Sequence, residues 1–402
     1  MNRSPSVRFD AQERRVVAAL AAIYSTRMLG MFMLLPVLTL FAGDLAGSTP
    51  LLAGVAMGAY GLTQAVLQIP FGRWSDRLGR KPVIVAGLVI YFAGSVVGAL
   101  ASTIHAVIAA RAIQGAGAVS GPVTALLADL TRPEIRTRAM AFIGISIGAC
   151  FILSLLAGPP LSVLLGLGGF FWMMALLALA GLLVLVLAVP TPQQVRAAGP
   201  FLWREAFSVG LLTQYFGVFA LHFILVATFT AVPHVLREVH GVETALHWHV
   251  YLPVFVLSLA GTAPLVLMAE RRRQAGGPIM RLGIALLVLG QIVMAFDFTS
   301  SIALHAGLVI YFAAFNFLEA RLPARVSELA PGHRRGAALG VFATSQFLGA
   351  FVGGVMGGAL MGTTWGLGAV FGASGVAAGI WWFVDRMGPR AVEDRGESVG
   401  SH

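Results

Sequence analysis

Lysine and cysteine are all but missing from this chain. Lys81 is the only lysine among 402 residues, and Cys150 is the only cysteine. A lone thiol forms no disulfide within its own chain, and inside an apolar run it behaves as a small hydrophobe. A phosphate-binding P-loop needs a lysine behind a glycine-rich turn, and Lys81 has no such setting, which argues against an ATP-driven pump. Charge is scarce too: 11% of residues are Asp, Glu, Lys or Arg, against about 25% in soluble domains. No His/Cys cluster has metal-ligand spacing, and His247 and His249, two apart, make a poor pair. We expect no metal, no cofactor and no enzymatic activity.

The chain is instead 58% hydrophobic, more apolar surface than one soluble core hides, so a lipid bilayer must cover it. A spanning helix needs about 20 mostly apolar residues. Runs of that kind fall at 17–42, 51–73, 82–101, 105–128, 137–164, 169–190, 207–235, 248–270, 279–297, 302–323, 336–361 and 365–384. The fold class expected is an all-α membrane protein with twelve transmembrane helices in two six-helix bundles. Arg3, Arg8, Arg14 and Arg15 lead into the first run with no small-residue cleavage site after a short apolar core, so it reads as a retained helix.

The net charge of +10 would point to nucleic acid in a soluble protein. Here its distribution gives another answer. Arg27 and Arg111 lie well inside spans, and Arg237 lies between the seventh and eighth; the other basic residues gather at the termini and on or at the edges of the loops after even-numbered spans. The basic side is cytoplasmic, so both termini are expected in the cytoplasm of a bacterial cell, the chain crossing the inner membrane, with no nucleic-acid partner and a monomeric state. A polar stretch at 191–206 separates residues 1–190 from 207–385, and 386–402 form a polar tail. The halves echo each other: Asp129, Leu130, Pro133, Arg136 and Ala139 after the fourth span are matched by Glu328, Leu329, Pro331, Arg334 and Ala337 after the tenth. Parallel six-helix repeats place a substrate site between halves at mid-membrane.

The loop after the second span reads Gly72, Arg73, Trp74, Ser75, Asp76, Arg77, Leu78, Gly79, Arg80, Lys81. It resembles the G-x-x-x-D-R-x-G-R-[KR] signature of the major facilitator superfamily. The resemblance implies a gate: Asp76 at the N-terminus of the eleventh span, where the helix dipole favours an anion, and Arg80 bridging to Asp129. Arg111, Gln114, Gly115 and Gly117 resemble the R-x-x-Q-G-x-G motif of proton-coupled members. Gly158 and Pro159 resemble the helix-bending motif of antiporters, in part only, because Leu161, Ser162 and Val163 follow where a glycine pair is expected. The likeness is strongest to the YajR-type branch of proton-driven drug antiporters, carried by 27–36, 60–72, 139–144, Phe315, Asn316, Glu319, Ala320 and 344–349. Some members of that branch have a soluble domain after the last span, which is not expected here.

Buried charge is costly in hydrocarbon, so Arg27 and Arg111 should face the bundle interior and be paired. Glu319, near Asn316, is the most embedded acid, and an Arg27–Glu319 pair or contacts with Arg321 or Arg325 are the alternatives for it. His222 lies mid-span, and imidazole titrates near neutrality, so a proton carrier or a packing residue both fit. Gln64, Gln68, Gln214, Tyr215 and Gln346 are candidates to line a cavity or to bridge helices. The expected function is proton-coupled efflux of small molecules by alternating access, with protons and a small-molecule substrate as partners; a proton-independent uniporter or importer, and a non-transporting sensor, stay open.

Overall fold

The computed structural model describes residues 9–191, 207–271, 276–330 and 335–387. The polar stretch at 192–206, the tail at 388–402, and Pro331 and Arg334 of the internal echo lie outside the described residues. Thirteen α-helices follow in chain order: α1 Ala11–Leu34, α2 Leu38–Ala42, α3 Pro50–Leu78, α4 Arg80–Ala99, α5 Ile104–Ala116, α6 Ser120–Asp129, α7 Pro133–Ala188, α8 Val209–His234, α9 Trp248–Arg271, α10 Gly276–Asp297, α11 Ser301–Leu329, α12 Arg335–Met361 and α13 Gly366–Met387. Ten are long and apolar enough to cross a membrane.

Local chemistry explains the boundaries. Side chains of Asp10, Thr49, Thr103, Ser208 and Ser300 accept from the backbone two or three residues on, capping α1, α3, α5, α8 and α11. Such caps satisfy N–H groups that the helix itself leaves open. The fourth expected span is two short helices, α5 and α6, because Gly117 leaves helical geometry at φ −75, ψ 57. The fifth and sixth spans run together as the 56 residues of α7. At 1.5 Å per residue that is about 84 Å, far beyond a bilayer core, and the chain breaks at Gly166, with φ 62 and ψ 178. The helix passes through Pro159 and Pro160 without a break.

Large apolar side chains face outward, among them Ile145, Leu164, Leu187, Phe296 and Ile302. Outward apolar surface on this scale is covered by lipid in a stable protein. Inside, α1 packs chiefly on α7, α4 on α5 and α7, α10 on α11 and α13, and α8 on α12. The largest contact between the first seven helices and the last six is α3 on α12.

That contact is closed at one end and open at the other. A Cβ on Gly54 would strike the Gly354 carbonyl, and one on Gly58 would lie 2.6 Å from the Phe351 carbonyl oxygen. Gly61 meets Phe347 in the same way. Backbones this close exclude any side chain between them. Continuing the antiparallel register along both helices leads to Gly72 opposite Gly336 and Gly340, yet nothing lies within 4 Å of a Cβ at any of these three. The helices part at the end that carries the basic loops.

Candidate functional site

Two polar clusters sit on either side of the closed part of the α3–α12 contact. The first is built on α1, α3, α4, α5 and α6. Tyr60, Gln64 and Gln68 recur every four residues and share one face of α3. Arg27 of α1 donates to the hydroxyl of Tyr60, to Gln64 Oε1 and, at 3.1 Å, to Ser120 Oγ. Gln64 in turn donates to Gln68 Oε1 at 3.0 Å. Arg111 of α5 lies over the Tyr60 ring, its Cζ 4.9 Å from the centroid, and donates to Gln114 Oε1 at 3.0 Å. Gln114 Nε2 donates to Ser95 Oγ at 2.8 Å. Arg27 Cζ also stands 5.7 Å from the Tyr60 centroid and 6.0 Å from that of Tyr91.

Both arginines are almost wholly enclosed, Arg27 3% and Arg111 2% exposed. Their recorded partners are neutral, and the Nε of each, with the Tyr91 hydroxyl, is buried without a hydrogen-bond partner. Arginine stays charged in such places, and each charge costs at least about 2.5–3.5 kcal/mol in the hydrocarbon centre. The aromatic rings return part of that through cation–π attraction.

The second cluster is built on α8, α11 and α12. His222 Nδ1 lies 3.2 Å from the Val218 carbonyl oxygen, which only accepts, so Nδ1 carries the proton. Gln346 Nε2 donates to His222 Nε2 at 2.7 Å and to Glu319 Oε1 at 3.4 Å. Glu319 Oε2 stands 3.8 Å from His222 Nε2, and its side chain is 40% exposed against 11% for His222. Asn316 Nδ2 donates to Ser258 Oγ at 3.4 Å. Phe315 lies beside His222, with centroids 6.1 Å apart, and stacks on Phe151 of α7 at 6.5 Å. The clusters are joined at one point: the Tyr60 ring meets Phe347, next to Gln346, edge-on at 6.5 Å.

Arg27 and Glu319 therefore do not pair. Arg27 commits its two terminal nitrogens to the first cluster, and Glu319 faces His222 and Gln346 across the α3–α12 contact. Arg321 and Arg325 do not meet Glu319 either; both bond Glu328, at 3.0 and 3.5 Å. Gln214 is buried with its Oε1 unpartnered, and Tyr215 packs on Phe207 with centroids 6.4 Å apart.

At the basic end, Arg80 Nε donates to Asp129 Oδ2 at 3.0 Å and Nη1 to Ser75 Oγ at 2.8 Å, and Arg80 also pairs with Asp76. Gly79, at φ 95, turns the chain between α3 and α4 so that this arginine points back along α3. The partners recorded for Asp76 and Arg80 lie within α3, α4 and α6, not on α12, which has parted from α3 here. Arg77 is exposed, and Lys81 donates to the Val189 carbonyl at 2.6 Å. Nearby, Arg132 grips Glu13 in a two-pronged pair at 2.7 and 2.8 Å, and those bonds raise the Arg132 pKa. Gly158 lets α7 approach α1: a Cβ there would lie 3.1 Å from the Met33 carbonyl oxygen.

Sequence reasoning missed Tyr60, Tyr91, Ser95 and Ser120 as members of the first cluster. The four-residue spacing of Tyr60, Gln64 and Gln68 was the available signal. No such pattern marks the serines.

The sequence matches the Major Facilitator Superfamily over residues 20–353. It is 43% identical over 345 residues to the inner membrane transport protein YajR of Escherichia coli (strain K12), covering 84% of this chain and 75% of that one. It is 29% identical to the multidrug resistance protein MdtH of Aeromonas hydrophila over 78% of this chain and 79% of the relative. In fold it is similar to a bacterial homologue of the human lysosomal transporter Spinster, with a TM-score of 0.77, 16% identity and 95% and 98% of the two chains covered. It is also similar to a D-xylose–proton symporter, with a TM-score of 0.72, 18% identity and 91% and 97% covered. These relatives are transporters rather than enzymes, and the chain belongs to the major facilitator superfamily as a multi-pass membrane transporter.

Proposed function

We propose that the protein is a proton-coupled exporter of small molecules that works by alternating access across a bacterial inner membrane. In this reading the chain crosses twelve times, α1–α2 and α5–α6 each making one crossing and α7 two, with the halves at 1–190 and 207–385 and both termini cytoplasmic. The open end of the α3–α12 contact then faces the cytoplasm, and the state described is inward-facing. Among the described residues Asp76 pairs with Arg80 and with no residue of α12, and it would meet the N-terminus of that helix once the end closes, as a latch whose two arrangements belong to two states.

The observation that carries proton coupling is the Glu319–His222–Gln346 group. His222 Nε2 now accepts from Gln346. A proton arriving there converts the acceptor to a donor, breaks the Gln346 bond and turns the imidazolium toward the Glu319 carboxylate 3.8 Å away. Glu319 is open enough to receive the proton first. Inward proton flow supplies about 2.3 kcal/mol per charge for each 100 mV. Export is favoured by the antiporter-like Gly158–Pro159 segment and by the likeness to a relative named for multidrug resistance.

The test is flux in proteoliposomes carrying an internal pH dye. A proton gradient should drive transport, and Glu319→Gln should reduce gradient-driven transport about tenfold or more, with His222→Gln weaker. Transport indifferent to the gradient and to both substitutions would leave a uniporter in place of an antiporter. No saturable flux of any compound would leave a sensor.

A further inference from the structure

The first cluster holds two fixed cations and no anion. Arg27 spends its two terminal nitrogens on Tyr60, Gln64 and Ser120, and Arg111 spends Nη1 on Gln114. All of these acceptors are uncharged. Each guanidinium keeps an Nε–H that is buried and unpartnered, and the Tyr91 hydroxyl is buried and unpartnered as well. A buried arginine with a structural role normally faces a carboxylate or saturates its donors on carbonyls. These two do neither, and both lie against the same Tyr60 ring. The described acids of the first seven helices are engaged elsewhere or lie near the helix ends: Asp76 and Asp129 on Arg80, and Glu13 on Arg132.

From these donors we propose that Arg27 and Arg111, with Tyr91, form the docking site for the carboxylate of an organic anion, and that such anions are the transported class. The inference rests on the transporter reading above, and it adds the substrate's charge. The chemistry fits a carboxylate because a guanidinium edge presents parallel donors to its two oxygens, and because the charge of the site is fixed at any physiological pH. Tyr60, Gln64 and Gln68, all buried in this state, carry the polar face of α3 toward Gly72, about 18 Å along the helix, where α3 and α12 have parted. The Phe347 ring against Tyr60 puts the site next to the Glu319 group, so an anion bound on one side faces a titratable acid on the other.

The experiment uses the purified full chain in detergent, with no proton gradient, so its result does not depend on coupling. Thermal unfolding is followed with two matched series at rising concentration: benzoate, benzamide and benzylamine, then hexanoate, hexanamide and hexylamine. The expected result is that the carboxylates raise the unfolding temperature and the amides and amines do not. In Arg27→Gln and Arg111→Gln the apparent affinity for carboxylates should fall about tenfold or more, with partial recovery in Arg111→Lys. Equal or greater stabilisation by the amines, no stabilisation by either carboxylate, or carboxylate stabilisation unchanged in both glutamine variants would each overturn the inference. If a glutamine variant does not fold, the wild-type charge series decides alone. Failure here leaves the pH-dye result on Glu319 standing, and failure there leaves this one standing.

Discussion

The two polar clusters differ in the kind of charge they hold. The α1–α6 cluster has two arginines, both under 4% exposed, the side chain that most firmly keeps its charge. The α8–α12 cluster has one acid, 40% exposed at its side chain, and one imidazole. A transporter that exchanges a proton for a solute needs both: a group that changes its charge and a field that does not. The comparison teaches that the permanent charges are fully buried here, while the titratable acid is half-buried, its side chain 40% exposed but its Oε2 enclosed without a hydrogen-bond partner.

The largest effect should come from removing a fixed charge without removing its volume. Arg111→Met is expected to lower transport about a hundredfold or more. The same change removes a charge costing about 2.5–3.5 kcal/mol and orphans the Gln114 acceptor at about 1–3 kcal/mol. The two terms nearly cancel, so the unfolding temperature should hold or rise slightly. A fall of several kcal/mol on denaturant titration would mean that the arginine serves the fold instead.

Glu319→Gln sharpens the contrast from the other side. The glutamine keeps the shape and removes the charge of a half-buried side chain whose Oε2 has no hydrogen-bond partner, so a loss of coupling is expected with a stability change of about 1 kcal/mol or less, checked by pairing the pH-dye assay with thermal unfolding. Gly354→Val tests whether the clusters need the closed contact between them. The added side chain meets α3 backbone at Gly54 and Gly58, and the overpacking should destabilise the protein by about 1–3 kcal/mol, read by chemical unfolding. Asp76→Asn should have the smallest effect on the state described, where the ion pair of Asp76 among the described residues is with Arg80 on its own side, and should slow turnover a few-fold by weakening the opposite state. Unchanged turnover would remove the latch.

Much of the fold was legible because hydrocarbon enforces its own grammar. Long apolar runs and basic loops marked where helices begin and end, and Arg80 and Asp129 stand together as the resemblance implied. The breaks inside spans were harder. Gly117 and Gly166 carry no charge and no polarity, and in a chain with 48 glycines nothing in the sequence singles out these two as breaks within a span. The Arg27 partner was misplaced for a similar reason. A buried cation prompts a search for an acid, but its acceptors here are a phenol, an amide and a hydroxyl. Neutral acceptors are common in any helix, and only the packing of α1 against α3 and α6 selects among them.

The glycine face between α3 and α12 has a further consequence. Where backbone lies against backbone, there are no rotamers to freeze on closing and none to release on opening. The two surfaces part and rejoin without repacking side chains, so the rearrangement is closer to unzipping a smooth seam than to rebuilding a core. A joint of this kind suits a molecule that must cycle many times between two shapes of similar free energy.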